Sequence, residues 1–271
     1  MNKRKNKVKI VTGMLTILII ISLIGPFIAL HNPYETNLLN TLQSPSLKYP
    51  FGTDSLGRCI YSRVLYGMSR TIFSSLILVS ITFIFGSLVG IISGYLGGII
   101  DDFIMVVINI FLALPSMVLA IAIAGILGGG MVNALIALVV VSWPKYANLA
   151  RGEVLTVKEE VYIQAAKLSG NSNFHILIKH IISNIYGKLL VVGTLDIGTM
   201  IMELSGLSFL GLCSPLPLAE LGSMMSEGKS YIQFAPWLIL APGITILIIV
   251  IIFNIFGDTM QELINSKKNR G

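Results

Sequence analysis

Two acidic residues, Asp196 and Glu203, lie in an otherwise apolar stretch near 189–210. They are seven residues apart, close to two helical turns, so both carboxyls are expected on one helical face. Ionisable residues within a membrane usually face a protein interior or a watery cavity. The spacing favours a role for both carboxyls in lining a translocation path, which Met200 would also line. More specific roles for the carboxyls are direct contact with the substrate and a weak metal site. The alternatives are carboxyls held by a neighbouring subunit and a Glu203 near the outer interface.

Other catalytic and ligand-binding motifs are missing from the sequence. It contains no GxxxxGK[ST], HExxH or GxSxG pattern. We therefore expect a non-catalytic chain that does not bind ATP through a P-loop. His175 and His180 are five residues apart and would not share a helical face, so they do not suggest a metal site. The two cysteines, Cys59 and Cys213, are too few for a disulfide framework.

The composition places these residues in a lipid bilayer. Charged residues make up 12% of the 271 residues, hydrophobic residues 54%, and the mean hydropathy is +0.84. Soluble domains carry about 25% charged residues. The composition therefore excludes a soluble enzyme, a nucleic-acid binder and a disordered chain. We expect an all-α polytopic membrane protein with no nucleic-acid partner, whose net charge of +6 reflects its topology.

Apolar runs predict six membrane-spanning helices. A span needs about 20 apolar residues. Pro115 is predicted to kink the third helix. In the second, Gly86, Gly90 and Gly94 recur every four residues and predict close packing of another helix. The predicted spans lie near 10–30, 72–96, 103–127, 132–149, 189–210 and 236–257.

Basic residues predict the orientation. Loops rich in lysine and arginine stay in the cytoplasm. With both termini inside, 14 of the 19 basic residues are cytoplasmic, and the reverse orientation places those 14 outside. No convincing small-x-small cleavage site follows the first apolar run, so an uncleaved first helix is expected rather than a secretory signal. The expected organisation is an N-terminal helix with an external segment over 1–70, and a membrane domain over 71–271.

A polar segment near 150–188 separates the fourth and fifth predicted spans. Residues 158–169 are good helix formers, and Gly170 is suited to the left-handed conformation that ends a helix. Ser172 or Asn173 can cap a second helix. The pattern predicts a cytoplasmic helix–turn–helix. From the residues alone, it is either an amphipathic element in the headgroup region or a docking element for a partner.

This segment, over about 152–183, resembles the EAA loop of bacterial ABC-importer permeases. In that family the loop forms a coupling helix, which docks into a groove on the ATPase subunit. Gln164 stands where the family motif prefers Glu, and Ser183 stands where it prefers Pro. The resemblance implies five ATPase-coupling residues: Glu160, Gln164, Ala165, Ala166 and Gly170.

The external segment resembles the GTDxLGRDxxSRxxxG signature of the second, C-type, permease subunit of dipeptide, oligopeptide and nickel importers. Cys59 replaces the usual acidic residue. With the coupling loop, the resemblance covers nearly the whole chain. The residues that match the signature include Gly52, Thr53, Asp54, Gly57, Arg58 and Arg63.

The resemblance implies a type I ABC-importer permease fold with six helices and a coupling helix between helices four and five. The chain would be a subunit of an ATP-driven importer in the bacterial cell membrane. Its partners would be a homologous permease, an extracytoplasmic solute-binding protein and two cytoplasmic ATPases. The ATPases bind ATP and Mg, and this chain holds no cofactor.

The substrate expected from the resemblance is nickel. Residues 194–198 together with 167–170 look more like the nickel branch, which implies nickel carried as a small chelate. Peptides are the alternative substrate. A proton-coupled secondary transporter that uses Asp196 and Glu203 is a remote alternative, and a non-transporting membrane scaffold is another.

Overall fold

The computed structural model describes residues 2–213 and 217–268. Within these ranges the chain is helical, and its only strand-like feature is an isolated bridge between Thr53 and Cys59. A π-helical stretch occupies Ile176–Ile182, directly before the helix that begins at Ser183. The helices are α1 (Asn2–Ile24), α2 (Ile60–Leu96), α3 (Gly98–Leu112), α4 (Ser116–Ile126), α5 (Met131–Lys158), α6 (Val161–Leu168), α7 (Asn173–His175), α8 (Ser183–Phe209), α9 (Leu221–Gly228) and α10 (Trp237–Lys268).

The structure confirms the predicted all-α architecture. In the described part of the chain, five helices are long and apolar enough to cross a membrane, and the pair α3–α4 makes a sixth span if it is counted as one. Pro115, which was predicted to kink a third span over 103–127, lies at the break between α3 and α4, so two helices replace one continuous kinked helix. The chain bends by 89° between α3 and α4. Proline disfavours a helical conformation in the residue before it, so α3 ends before Pro115 and α4 starts immediately after it.

Helices α2 and α5 are longer than the predicted spans 72–96 and 132–149. The predicted spans were limited to runs of uncharged residues. In the structure these helices continue past charged residues, because those residues form hydrogen bonds or ion pairs. Arg70 donates to the Ala219 carbonyl at 3.3 Å, and Arg151 pairs with Asp101 at 2.6 Å. Helix α2 has 37 residues, which corresponds to about 55 Å and exceeds the hydrocarbon core of a bilayer.

The glycine strip of α2 lies directly against α5. A Cβ built on Gly90 would lie 2.8 Å from the Cα of Ala147, and one on Gly94 would lie 3.0 Å from the Arg151 carbonyl oxygen. One on Gly86 would lie 2.8 Å from the Cβ of Tyr146. Real Cβ atoms are almost never this close to other heavy atoms, so the backbones approach as closely as they do because side chains are absent.

Candidate functional site

A cavity of about 300 Å³ lies between the α3–α4 break, α5 and α8. Apolar side chains at the end of α3 and in the break itself form part of its wall, and Met200 of α8 forms another part. The predicted path residues Asp196, Met200 and Glu203 therefore share one cavity. Its polar and charged lining residues are Ser116, Ser142, Lys145, Asp196, Thr199 and Glu203.

Asp196 is buried and bound on both oxygens. Its side chain is 3% exposed. Lys145 of α5 forms an ion pair with Oδ1, and the Tyr146 hydroxyl donates to Oδ2 at 2.8 Å. Tyr146 is itself fully buried, and Phe83 packs edge-on against its ring at 5.7 Å. The Asp196 carboxylate is thus compensated inside the chain, which a buried charge requires.

Lys145 and Tyr146 are site residues that the sequence analysis missed. By charge alone, Lys145 counts among the 14 basic residues expected on the cytoplasmic side. Its position at the end of a long uncharged run was the available signal, since an isolated lysine beside an apolar run often compensates an intramembrane carboxylate. The side chain is 51% exposed, so Lys145 faces the cavity while it holds Asp196.

Glu203 differs from Asp196 in its surroundings. It is partly buried and lines the same cavity, but it accepts no hydrogen bond from residues 2–213 or 217–268. Across that same part of the chain, no three His, Cys, Asp or Glu side chains converge where they could hold a metal ion. Lys145 pairs with Asp196, so a metal ion at the two carboxyls would have to compete with this lysine, and the weak metal site stays a prediction.

Signature residues of the segment between α1 and α2 (residues 31–59, the 31–59 segment) and of the start of α2 form a buried ion-pair network with α9. Arg58 donates to Asp54 at 2.6 Å and to Glu227 at 2.5 Å. Arg63 donates to Glu227 at 3.0 Å, and both arginine side chains are 1% exposed. Glu227 lies more than 160 residues from either arginine, and the sequence analysis missed it. These signature residues thus fasten the 31–59 segment to α9.

The glycines and threonine of the same signature shape the loop. Gly52 and Gly57 have positive φ angles of 75° and 73°. A Cβ on Gly52 would lie 2.7 Å from Nε1 of Trp237, and one on Gly57 would lie 2.7 Å from the carbonyl carbon of Asn37. The Thr53 hydroxyl is buried and donates to a backbone carbonyl at 2.5 Å. Both glycines are therefore required by backbone conformation and by space.

The predicted helix–turn–helix is present. Helix α6 occupies Val161–Leu168, and Gly170 follows with a φ of 80°. The amide of Asn171 donates to the carbonyl of Ala166 at 3.2 Å, closing the helix end. The Ser172 hydroxyl accepts from the His175 amide at 3.3 Å and caps α7, as one of the two predicted alternatives.

The five expected coupling residues lie on different faces of this segment. Ala166 is buried, together with Ile163, in an apolar cluster that also includes Val154 of α5 and Ile185 of α8. The other four are exposed: Glu160, Gln164, Ala165 and Gly170. The two adjacent alanines therefore have different surroundings, which their shared residue type could not indicate.

One exposed face of α6 is apolar. Val161 is 79% exposed and Leu168 is 90% exposed, and Ala165 lies between them on the same helical face. The segment that follows α6 is attached to α2, because the Tyr95 hydroxyl of α2 donates to the carbonyl of Asn173 at 2.9 Å. The result is an apolar surface on a fixed support.

Tyr162 also belongs to this surface. Partial burial, followed by the negative charge of Glu160, raises the pKa of the Tyr162 phenol above its ordinary value. The group therefore stays neutral at physiological pH and adds no charge to the apolar face.

Comparisons with known proteins identify the family and the fold. Residues 86–270 match the model described as "Binding-protein-dependent transport system inner membrane component". The chain is 40% identical over 265 residues to the dipeptide transport system permease protein DppC of Alkalihalophilus pseudofirmus, covering 97% of this chain and 87% of the relative. It is 39% identical over 254 residues to the probable D,D-dipeptide transport system permease protein DdpC of Escherichia coli, covering 94% and 85%.

A solved structure has the same fold. A chain of the MetNI methionine ABC transporter, in inward-facing conformations, aligns with a TM-score of 0.55 at 20% identity. The alignment covers 70% of this chain and 92% of that one. This likeness shows the type I ABC-importer permease fold.

Proposed function

The chain belongs to the family of binding-protein-dependent transport system inner membrane components, and we propose that it carries dipeptides across the membrane. The chain is an integral membrane permease subunit of a bacterial ABC importer. The observation that carries the dipeptide proposal is the close similarity, over nearly the whole chain, to two permeases named for dipeptide transport.

The comparisons do not support the nickel branch expected from residues 194–198 and 167–170. Both relatives reported above are named for dipeptides. The cavity chemistry is in keeping with them: Lys145 neutralises Asp196, and the apolar wall suits an organic solute better than a bare metal ion. Borderline divalent cations such as Ni²⁺ need several ligand atoms, for example from imidazole or carboxylate groups.

An importer of this kind works with a partner permease, ATPase subunits and a binding protein. For this chain, we infer that the partner is a homologous permease, that two ATPases bind on the cytoplasmic side, and that both termini lie on that side. The excess of basic residues near the termini and in the 145–188 region supports this orientation.

Helix α6 is proposed as the ATPase-docking element. An unpaired apolar helix face is suited to insertion into an apolar groove of a partner. Val161, Ala165 and Leu168 supply that face, whereas Ala166 holds α6 onto its own chain. The force of ATPase closure would reach the membrane helices through the cluster around Ala166.

The cavity is proposed as this chain's share of the translocation path. It contains charged groups of both signs and is formed by a broken helix pair. Within a membrane, a non-helical backbone is tolerated only where it is buried in protein or lines a cavity. Broken helices in transporters therefore commonly surround substrate sites.

Uptake into proteoliposomes tests the substrate. The complete complex, with its binding protein and internal ATP, should accumulate labelled dialanine, and excess unlabelled nickel should not compete. Accumulation of radioactive nickel that ignores excess dialanine would contradict the dipeptide proposal. A complex containing ATPases with an inactivated P-loop is the control for ATP dependence.

Co-purification tests the docking element. Leu168→Asp should abolish retention of the ATPases on the tagged permease pair, because it places a charge on the apolar docking face. Leu47→Asp is the matched control: the same substitution on another fully exposed leucine, in the 31–59 segment. Normal ATPase retention by the Leu168 variant would exclude α6 as the docking helix.

A further inference from the structure

The two carboxyls of the cavity have different partners. Asp196 accepts hydrogen bonds from Lys145 and Tyr146, so both of its oxygens are occupied. Glu203 accepts none from the part of the chain that the structure describes, and it lines the cavity in a partly buried position. From the sequence alone, the two carboxyls could not be ranked.

The ionised cavity carries an excess of negative charge. Its charged lining residues are one lysine and two acidic residues, and the lysine already compensates Asp196. Glu203 has no hydrogen-bond partner among the described residues, so its charge is less well compensated than that of Asp196. A carboxylate of this kind inside a membrane protein attracts a cationic group, because the low dielectric strengthens the interaction.

An organic ammonium fits this site better than a metal ion. A metal ion needs several ligand atoms arranged around it. An ammonium needs only one carboxylate and tolerates apolar surroundings for the carbon to which it is attached. Glu203 provides the carboxylate, and Met200, Leu114 and Phe111 are among the apolar lining residues of the same cavity.

The length of the cavity wall suits a short peptide. Asp196 and Glu203 are separated by seven residues of α8, which is about 10 Å along the helix axis. An extended peptide spans at most about 3.5 Å per residue, so two or three residues nearly cover this distance. The Lys145 ammonium has three N–H donors and half of its side chain exposed, so it can pair with Asp196 and still donate to a second carboxylate.

On the basis of the proposed dipeptide transport, we propose that Glu203 binds the α-ammonium of the peptide in transit, while Lys145, held by Asp196, faces the peptide carboxylate. Glu203 is then a specificity-determining residue that contacts substrate. Asp196 is a positioning residue that acts through Lys145 and does not touch the peptide.

Charge restoration at one cysteine tests the role of Glu203. Glu203→Cys should lower the initial rate of dialanine uptake by the complete complex about tenfold, equivalent to about 1.4 kcal/mol. Treating the same preparation with 2-sulfonatoethyl methanethiosulfonate, which adds a negative charge, should restore part of the rate. The trimethylammonium-ethyl reagent, which adds a positive charge, should not. The wild-type complex controls for reaction at Cys59 and Cys213, which are both buried.

Because both reagents act on the same folded complex, a structural defect would not respond to the sign of the added charge. Equal responses to the two reagents, or wild-type uptake by Glu203→Cys, would overturn the proposal. A second pair is independent of labelling: Glu203→Asp should retain more uptake than the isosteric Glu203→Gln. Asp258→Asn, which removes an exposed carboxylate on α10 away from the cavity, should transport normally.

The outcomes separate the two levels of the argument. If the wild-type complex imports no dialanine, the proposed function fails. If the wild-type complex imports dialanine and the Glu203 variants match it, only the ammonium-binding role fails. The binding protein is unchanged throughout, so its peptide affinity cannot account for a difference between variants.

Discussion

Glu227→Gln should destabilise the fold at the junction between the 31–59 segment and α9. The substitution removes the carboxylate that accepts from Arg58 at 2.5 Å and from Arg63 at 3.0 Å. It leaves two arginines, each 1% exposed, with Asp54 as their remaining carboxylate partner. Removing one member of a buried ion pair costs about 3–5 kcal/mol because a buried charge loses its compensation.

The expected loss lies at the lower end of that range. The Glu227 side chain is 20% exposed, so water can partly replace the lost interaction. The glutamine also keeps one oxygen that can accept a hydrogen bond. A loss of about 3 kcal/mol follows, and for a chain of this size it corresponds to a fall in Tm of about 5–10 °C.

Thermal unfolding of the purified complex in detergent measures the effect. Glu35→Gln is the matched control, since it makes the same substitution at an exposed residue of the 31–59 segment and should leave Tm nearly unchanged. A double-mutant cycle with Arg58→Gln should show a coupling of about 1 kcal/mol or more. If Glu227→Gln shifts Tm no more than the control does, the network does not stabilise the fold and the reasoning is refuted.

Three further results are expected. Gly90→Ala should destabilise the complex by about 1–2 kcal/mol, since its Cβ would overlap Ala147, whereas Gly152→Ala, with nothing within 4 Å, should be neutral or stabilising in the same unfolding assay. Burial raises the pKa of the Cys213 thiol to about 12, so the thiol should react with maleimide at pH 8 far more slowly than an exposed thiol does. Because the pKa of this thiol is higher in the folded than in the unfolded chain, its contribution to stability is lost only as the pH rises from about 9 toward 12. Gly170→Val should lower the rate of ATP-driven uptake while leaving Tm nearly unchanged. A β-branched residue is strained at a φ of 80° and would distort the turn beside α6.

Local signals in the sequence predicted several elements well. The glycine and serine that end α6 and begin α7 act through their own backbone and side chain, so their roles can be predicted from residue type. The glycine strip of α2 likewise has a periodicity that specifies a contact surface. Such features depend on neighbours a few residues away.

The network partners could not be predicted in this way. Glu227 pairs with arginines more than 160 residues away, and Lys145 pairs with Asp196 across two helices. No local pattern connects them, because the pairing depends on how the helices pack. The same limit explains why α2 was predicted to begin at 72 rather than at Ile60. A span predicted from uncharged residues stops at the first arginine, because the sequence does not show which residue pairs with that arginine.

The connections of α6 explain how docking and transport can be linked in one chain. Helix α5 ends shortly before α6, and the segment after α6 leads through α7 into α8. The cavity residues Lys145 and Asp196 lie on these same two helices and bind each other. Any displacement of α6 is therefore transmitted to two walls of the cavity at once, while their ion pair holds those walls together. The third wall lies at the α3–α4 break, and the opposite, N-terminal end of α3 is attached to α5 through the Asp101–Arg151 pair. If α6 docks as proposed, we expect the change in access to occur between this whole unit and the proposed partner permease, as a rigid-body movement.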